Sequence, residues 1–182
     1  MKKLLVIALF ATCLTLPAQE TRREVSHATG NPAIDAKPNS PEVPDVFAVS
    51  GHLERIVVLR FKFGTDLLAG LQQMIAEQKI KNAVILSAFG SVRGYQIHQV
   101  SNRDLPSKNM FIKNPTAPAD IVGMSGMVMN GRVHPHIVLA NADRAFGGHL
   151  EPETQVFTFA VVTLGVLDDS MDMSRFDDSS YR

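Results

Sequence analysis

The chain reads as an α+β domain built on a mostly antiparallel β-sheet, with one clear helix packed on it. Three observations predict this. A single stretch repeats its apolar residues at helical spacing: Leu67, Leu71, Met74 and Ile75, widened by Leu68 and Ile80. The remaining apolar segments are short, rich in β-branched and aromatic residues, and bounded by turn formers. Asn130-Gly131 marks a tight hairpin, because both central residues of that turn need positive φ. Of the 182 residues 45% are hydrophobic and 20% charged, enough apolar material for one compact domain with tails.

Residues 1–18 carry the marks of a secretory signal peptide: Lys2 and Lys3, an apolar run from Leu4 to Leu16, and the small Ala18. The run falls short of the roughly 20 residues that span a bilayer as a helix. An uncleaved anchor and a lipoprotein linked through Cys13 are the alternatives, and Thr12 is a poor fit to the second. Export through such a signal implies the periplasm or the outside, and no membrane span is expected in the mature chain. Cys13 is the only cysteine and leaves with the signal. Any metal must then be held by His, Asp, Glu or backbone oxygen.

Residues 19–49, rich in Pro, Ser, Asn and charge, read as a flexible linker. The domain proper is expected over residues 50–167. "ERIVVLRFKF" alternates as a strand, and Thr65 or Asp66 caps the helix that follows. "KNAVILSAFGSVRGYQIHQVS" suggests two strands around a glycine-rich corner, with His98 read as a structural or surface residue. Residues 101–119 suggest a long connection with a short strand at Met110 to Ile112, and have room for a second helix. "DIVGMSGMVMNGRV" is a strand running into the Asn130-Gly131 turn, and "TQVFTFAVVTLGVL" is a long central strand. Residues 168–182 form an acidic, polar tail expected to be loose.

Formal net charge is zero, divided along the chain. Residues 50–167 carry eleven Lys/Arg and eight Asp/Glu, and residues 168–182 two Arg and five Asp. An excess that mild is no electrostatic footprint for nucleic acid and argues against it as a partner. No G-x-S-x-G elbow and no phosphate-binding glycine loop occurs.

Three of the six histidines fall in "VHPHIVLANADRAFGGHL". His134 and His136 share one face of a strand, since side chains alternate. A hairpin centred between Ala142 and Asp143 sets His136 opposite His149, with β-carbons about 4.5–5.5 Å apart. Three converging imidazoles suit a divalent metal, and zinc commonly takes three such ligands plus water. Such a metal lowers the pKa of its bound water to about 7. Glu151 and Glu153 stand nearby to orient a ligand or move protons. The bland alternative is that the histidines bond only to backbone and water.

The segments "GTDLLAGLQQMIAEQKIKNAVILSAFGSVRGYQI", "IVGMSGMV", "HPHIVLANADRAFGGHL" and "FTFAVVTLGVL" resemble the PPC domain (plants and prokaryotes conserved) family. The resemblance covers about residues 53–167, and "GGHL" is its most specific part. It implies a compact α+β fold, a homotrimer in prokaryotes, and a metal in some members, carried here by His134, His136 and His149. Zinc leads on imidazole preference. The AT-hooks of plant members are absent from this sequence, and Val161 stands where members often carry an acid.

The leading expectation is an exported trimer whose three-histidine metal site binds a small ligand or supports hydrolytic or lyase-like chemistry. A DNA-binding module by family analogy and a structural trimer without catalysis stay open beside it.

Overall fold

The computed structural model describes residues 19–182, so the signal peptide expected at residues 1–18 lies outside the described residues. In chain order the elements are β1 (Thr21–Ser26), α1 (Pro32–Asp35), β2 (Leu53–Lys62), α2 (Leu67–Glu77), β3 (Ala83–Val100), β4 (Lys108–Asn114), β5 (Ala119–Met129), β6 (Arg132–Ala140), β7 (Ala145–Leu150) and β8 (Gln155–Leu167). The strands form one eight-stranded sheet in which every pairing is antiparallel. No described helix is long and apolar enough to cross a membrane.

The helix forms where its apolar spacing predicts. Asp66 caps it by accepting from the Ala69 N–H at 2.9 Å, satisfying one of the free donors of the first turn. Leu67, Leu68, Leu71 and Ile75 are buried against the sheet. Each fully buried side chain of this size stabilises by about 1.5–3 kcal/mol. The core continues through Val92, Ile97, Ile137, Leu139, Leu150, Val156, Val162 and Leu164.

β3 organises the sheet. Residues 81–101 suggest two strands around a corner, but the structure runs them as one 18-residue strand. Gly90 makes this possible: at φ +139° it bends the strand, and a β-carbon there would collide with the Phe159 carbonyl on β8. The first half of β3 pairs with β5 and β8, and the second with β4 and β7. The path β3–β5–β6–β7 therefore closes back on β3.

Both termini of the described chain are more ordered than composition suggests. Residues 19–49, expected as a linker, contain β1, which pairs with β4 over six residues, and the short α1. Residues 101–119 hold the strand β4, longer than the Met110–Ile112 expectation, and contain no helix. The tail 168–182, expected to be loose, lies against the domain with Met173 only 2% exposed. Its acidity conceals two apolar anchors, Met173 and Phe176; the Phe176 ring meets Phe47 edge-on at 4.9 Å.

The exterior of β2, β3 and β8 is unusually apolar. Ile56, Val58, Leu86, Phe89 and Phe157 are each at least 45% exposed. Strand alternation here puts a second hydrophobic face opposite the core face.

Candidate metal centre

β7 is a strand squeezed between two others, and the Gly147-Gly148 pair is why it fits. A β-carbon on Gly147 would collide with the Ile137 carbonyl oxygen of β6, and one on Gly148 with the His98 carbonyl oxygen of β3. Without those β-carbons, His149 pairs directly with His136 on one side and with His98 on the other. His134, two residues before His136, lies on the same face.

The hairpin register expected from sequence is thus the one observed, from His136↔His149 to Ala140↔Ala145. His134, His136 and His149 come together: ring centroids lie 4.8 Å apart for His134 and His149, and 5.5 Å for His136 and His149. His98 joins them, stacked on His149 at 4.6 Å with its other side toward Phe111. The sequence reading of it as a structural or surface residue did not place it in this cluster. The β3–β7 pairing that recruits it is remote in sequence and leaves no local signal.

Carboxylates stand behind three of the four rings. Glu151 Oε1 lies 2.6 Å from His98 Nδ1 and 3.1 Å from His149 Nδ1. Asp177 Oδ1, from the tail, lies 2.8 Å from His134 Nδ1. Of the two glutamates singled out in the sequence, Glu151 belongs to the cluster, while Glu153 is exposed and pairs with Lys113 at 2.6 Å. Glu151 is held by the chain around it. Its N–H donates to the Gln96 carbonyl, and buried Thr154 bridges the Gln96 and Glu151 carbonyls through its hydroxyl.

His98, His149 and Glu151 offer ligand atoms that all lie within 4.8 Å of one another, a set able to hold a cation. On the other side of the cluster the Nε2 atoms of His134 and His136 are 3.2 Å apart. Two nitrogens bound to one tetrahedral zinc at 2.0–2.1 Å would be separated by about 3.3 Å. The donor set is imidazole and carboxylate without thiolate, which suits zinc and its first-row neighbours.

The electrostatics favour neutral imidazole, the form that binds metal. Burial lowers the His136 pKa below 6.5, and the nearby His134 and His98 lower it further. Burial also lowers that of His149, followed by His98 and His134, with Glu151 opposing. The side chains of His98, His149 and Glu151 are 17–20% exposed, whereas His134 is 39% exposed. The open side leads to a cavity of about 200 Å³ lined by Gly126, Met127, Met129, His134, His136, Phe176 and Asp177. A larger cavity, about 610 Å³, lies elsewhere, around Ser91, Asp120, Asn141 and Thr158. Its lining contains no histidine.

An antiparallel α+β domain with imidazoles and carboxylates gathered on one face is a compact protein able to ligate a metal. The chain belongs to the Plants and Prokaryotes Conserved (PCC) domain family, whose model matches residues 48–168. This is the family, called PPC above, that the motifs resemble. Among solved structures, a plant- and prokaryote-conserved protein of Pyrococcus horikoshii superposes with TM-score 0.55 at 20% identity, covering 69% of this chain and 87% of that one. A metal-containing protein of Archaeoglobus fulgidus gives 0.53 at 23% identity, over 70% and 86%. A protein of Bacteroides thetaiotaomicron, provisionally described as DNA-binding, gives 0.53 at 17%, over 68% and 86%. At these identities the likeness establishes the fold. A bifunctional GlmU protein of a Synechococcus strain is 29% identical over 119 residues, and this chain covers 18% of its length.

Proposed function

We propose that this PCC-domain protein is exported and holds a divalent metal, with zinc first in order, in the cluster of His134, His136 and His149 joined by His98. The observation that carries this reading is the gathering of four imidazoles with a carboxylate behind three of them. A carboxylate on Nδ1 fixes the tautomer and raises the basicity of the ring, the usual arrangement around a metal-bound histidine. A bound zinc supplies Lewis acidity. The cavity beside His134 and His136 takes a small ligand, and hydrolytic or lyase-like chemistry is the activity the donor set suits. The metal-containing Archaeoglobus fulgidus relative supports the same reading.

The working unit is a homotrimer closed through the apolar exterior of β2, β3 and β8. An exposed surface carrying Ile56, Val58, Leu86, Phe89 and Phe157 favours self-association. Sedimentation equilibrium of the mature protein tests this, and a monomer at micromolar concentration contradicts it. Fractionation of cells producing the full chain tests export.

The metal reading is tested by zinc titration of purified, chelator-stripped protein, with His149→Ala alongside. Stoichiometric zinc in the wild type and none in the variant is the expected result. DNA binding is the second reading, favoured by the description of the Bacteroides thetaiotaomicron protein. It predicts an affinity that falls steeply with salt through counterion release, and no shift of duplex DNA even at low salt removes it.

A further inference from the structure

The tail beyond residue 168 lies outside the family match, yet it reaches the histidines. Its course is fixed at both ends. Buried Asn82 donates from Nδ2 to the Met171 carbonyl at 3.0 Å and accepts from the Asn130 N–H at 3.2 Å through Oδ1. Lys81 Nζ donates to the Asp169 carbonyl at 2.6 Å. Met173 then enters the core, and Phe47 receives the rings of Phe176 and Tyr181 at 4.9 and 5.8 Å. Asp177 sits between these anchors.

We propose that the tail is a built part of the site and that Asp177 is a positioning residue for His134, which rests on the metal reading above. Both carboxylate oxygens are engaged: Oδ1 with His134 Nδ1 at 2.8 Å, and Oδ2 with Arg132, which donates from a guanidinium nitrogen at 3.3 Å. An ionised carboxylate only accepts hydrogen bonds. His134 Nδ1 must therefore carry a proton, which leaves Nε2, 3.2 Å from His136 Nε2, as the nitrogen that can offer a lone pair to a metal. Phe176 and Asp177 also wall the cavity on the side where His134 is open. The tail thus does for His134 what Glu151 does for His98 and His149.

Outer carboxylates of this kind typically change metal affinity by about 10–100-fold. Because Asp177 is partly exposed, its loss is expected at about the lower end, roughly 10-fold. The test uses the full mature chain and Asp177→Ala, with zinc affinity measured by competition with a chromophoric chelator. Alongside it, long-range ¹H–¹⁵N correlation spectra of the metal-free proteins identify the tautomer of His134. The wild type should show the proton on Nδ1, and Asp177→Ala should redistribute it and weaken zinc. Asp177→Glu should restore part of both. Unchanged affinity and tautomer overturn the proposal. Weakened zinc with an unchanged tautomer also overturns it, since the tail then acts without orienting His134. If the wild type binds no zinc, the metal reading fails alone, and the tautomer of the metal-free protein still decides the role of Asp177.

Discussion

The two halves of the histidine cluster are built differently. His98, His149 and Glu151 are partly buried, 17–20% exposed, and their positions come from adjacent strands and a threonine-fixed corner. His134 and His136 lie on the β6 side, with His134 39% exposed and steadied by a carboxylate that arrives 43 residues later in the chain. The first half is set by the sheet and the second depends on a strap.

The sharpest way to break this comparison is to remove what both halves share. His149→Ala takes away the ring that touches His98, His136 and His134, and zinc binding in a competition titration should be lost altogether. Glu151→Gln attacks the less exposed half alone. It should weaken zinc by about 100-fold, the upper end for a supporting carboxylate. It should also cost about 1 kcal/mol in denaturant unfolding, because partly buried partners exchange a charged acceptor for a neutral one.

Gly148→Ala tests whether the halves meet because β7 is squeezed. Its methyl would push the His98 carbonyl away and part β3 from β7. Overpacking of this kind costs typically about 1–3 kcal/mol. Zinc affinity should fall with it, while the turn at Ala142 keeps His136 opposite His149.

The smallest effect is one of pH on the metal-free protein. His136 and His149 have pKa values held below 6.5 in the fold, whereas the unfolded chain takes up protons near that value. Between the two values the unfolded state binds more protons, so stability rises with pH through this window. It is therefore lost as pH falls below about 6.5. Thermal melts of chelator-treated protein at pH 7.5 and 5 should show a lower Tm at the acidic value. The gap should narrow in His136→Gln, and an equal gap in that variant would separate the pH response from the cluster.

What was legible in the sequence follows the range of each interaction. The helix, its Asp66 cap and the β6–β7 register are local, and periodicity and turn residues were enough to place them. With that register came the juxtaposition of His136 and His149, and His134 followed from strand alternation. The β3–β7 pairing was not legible, because residues 98 and 149 are joined by no short turn and only the closed sheet path unites them. His98 was lost for that reason. Gly90 looked like a break between strands because a glycine marks a corner and a bend inside one strand equally well. The order of the tail is hidden because its five aspartates outnumber Met173 and Phe176, the two apolar side chains that anchor it.

Whether the cluster holds a metal is decided by the metal content of the wild-type protein after metal-replete preparation and desalting, read by mass spectrometry of the ions beside His149→Ala. About one zinc per wild-type chain in a mixed imidazole and carboxylate environment is expected, and none in the variant. A wild-type protein that retains no metal, or a variant that retains as much as the wild type, would contradict the metal reading.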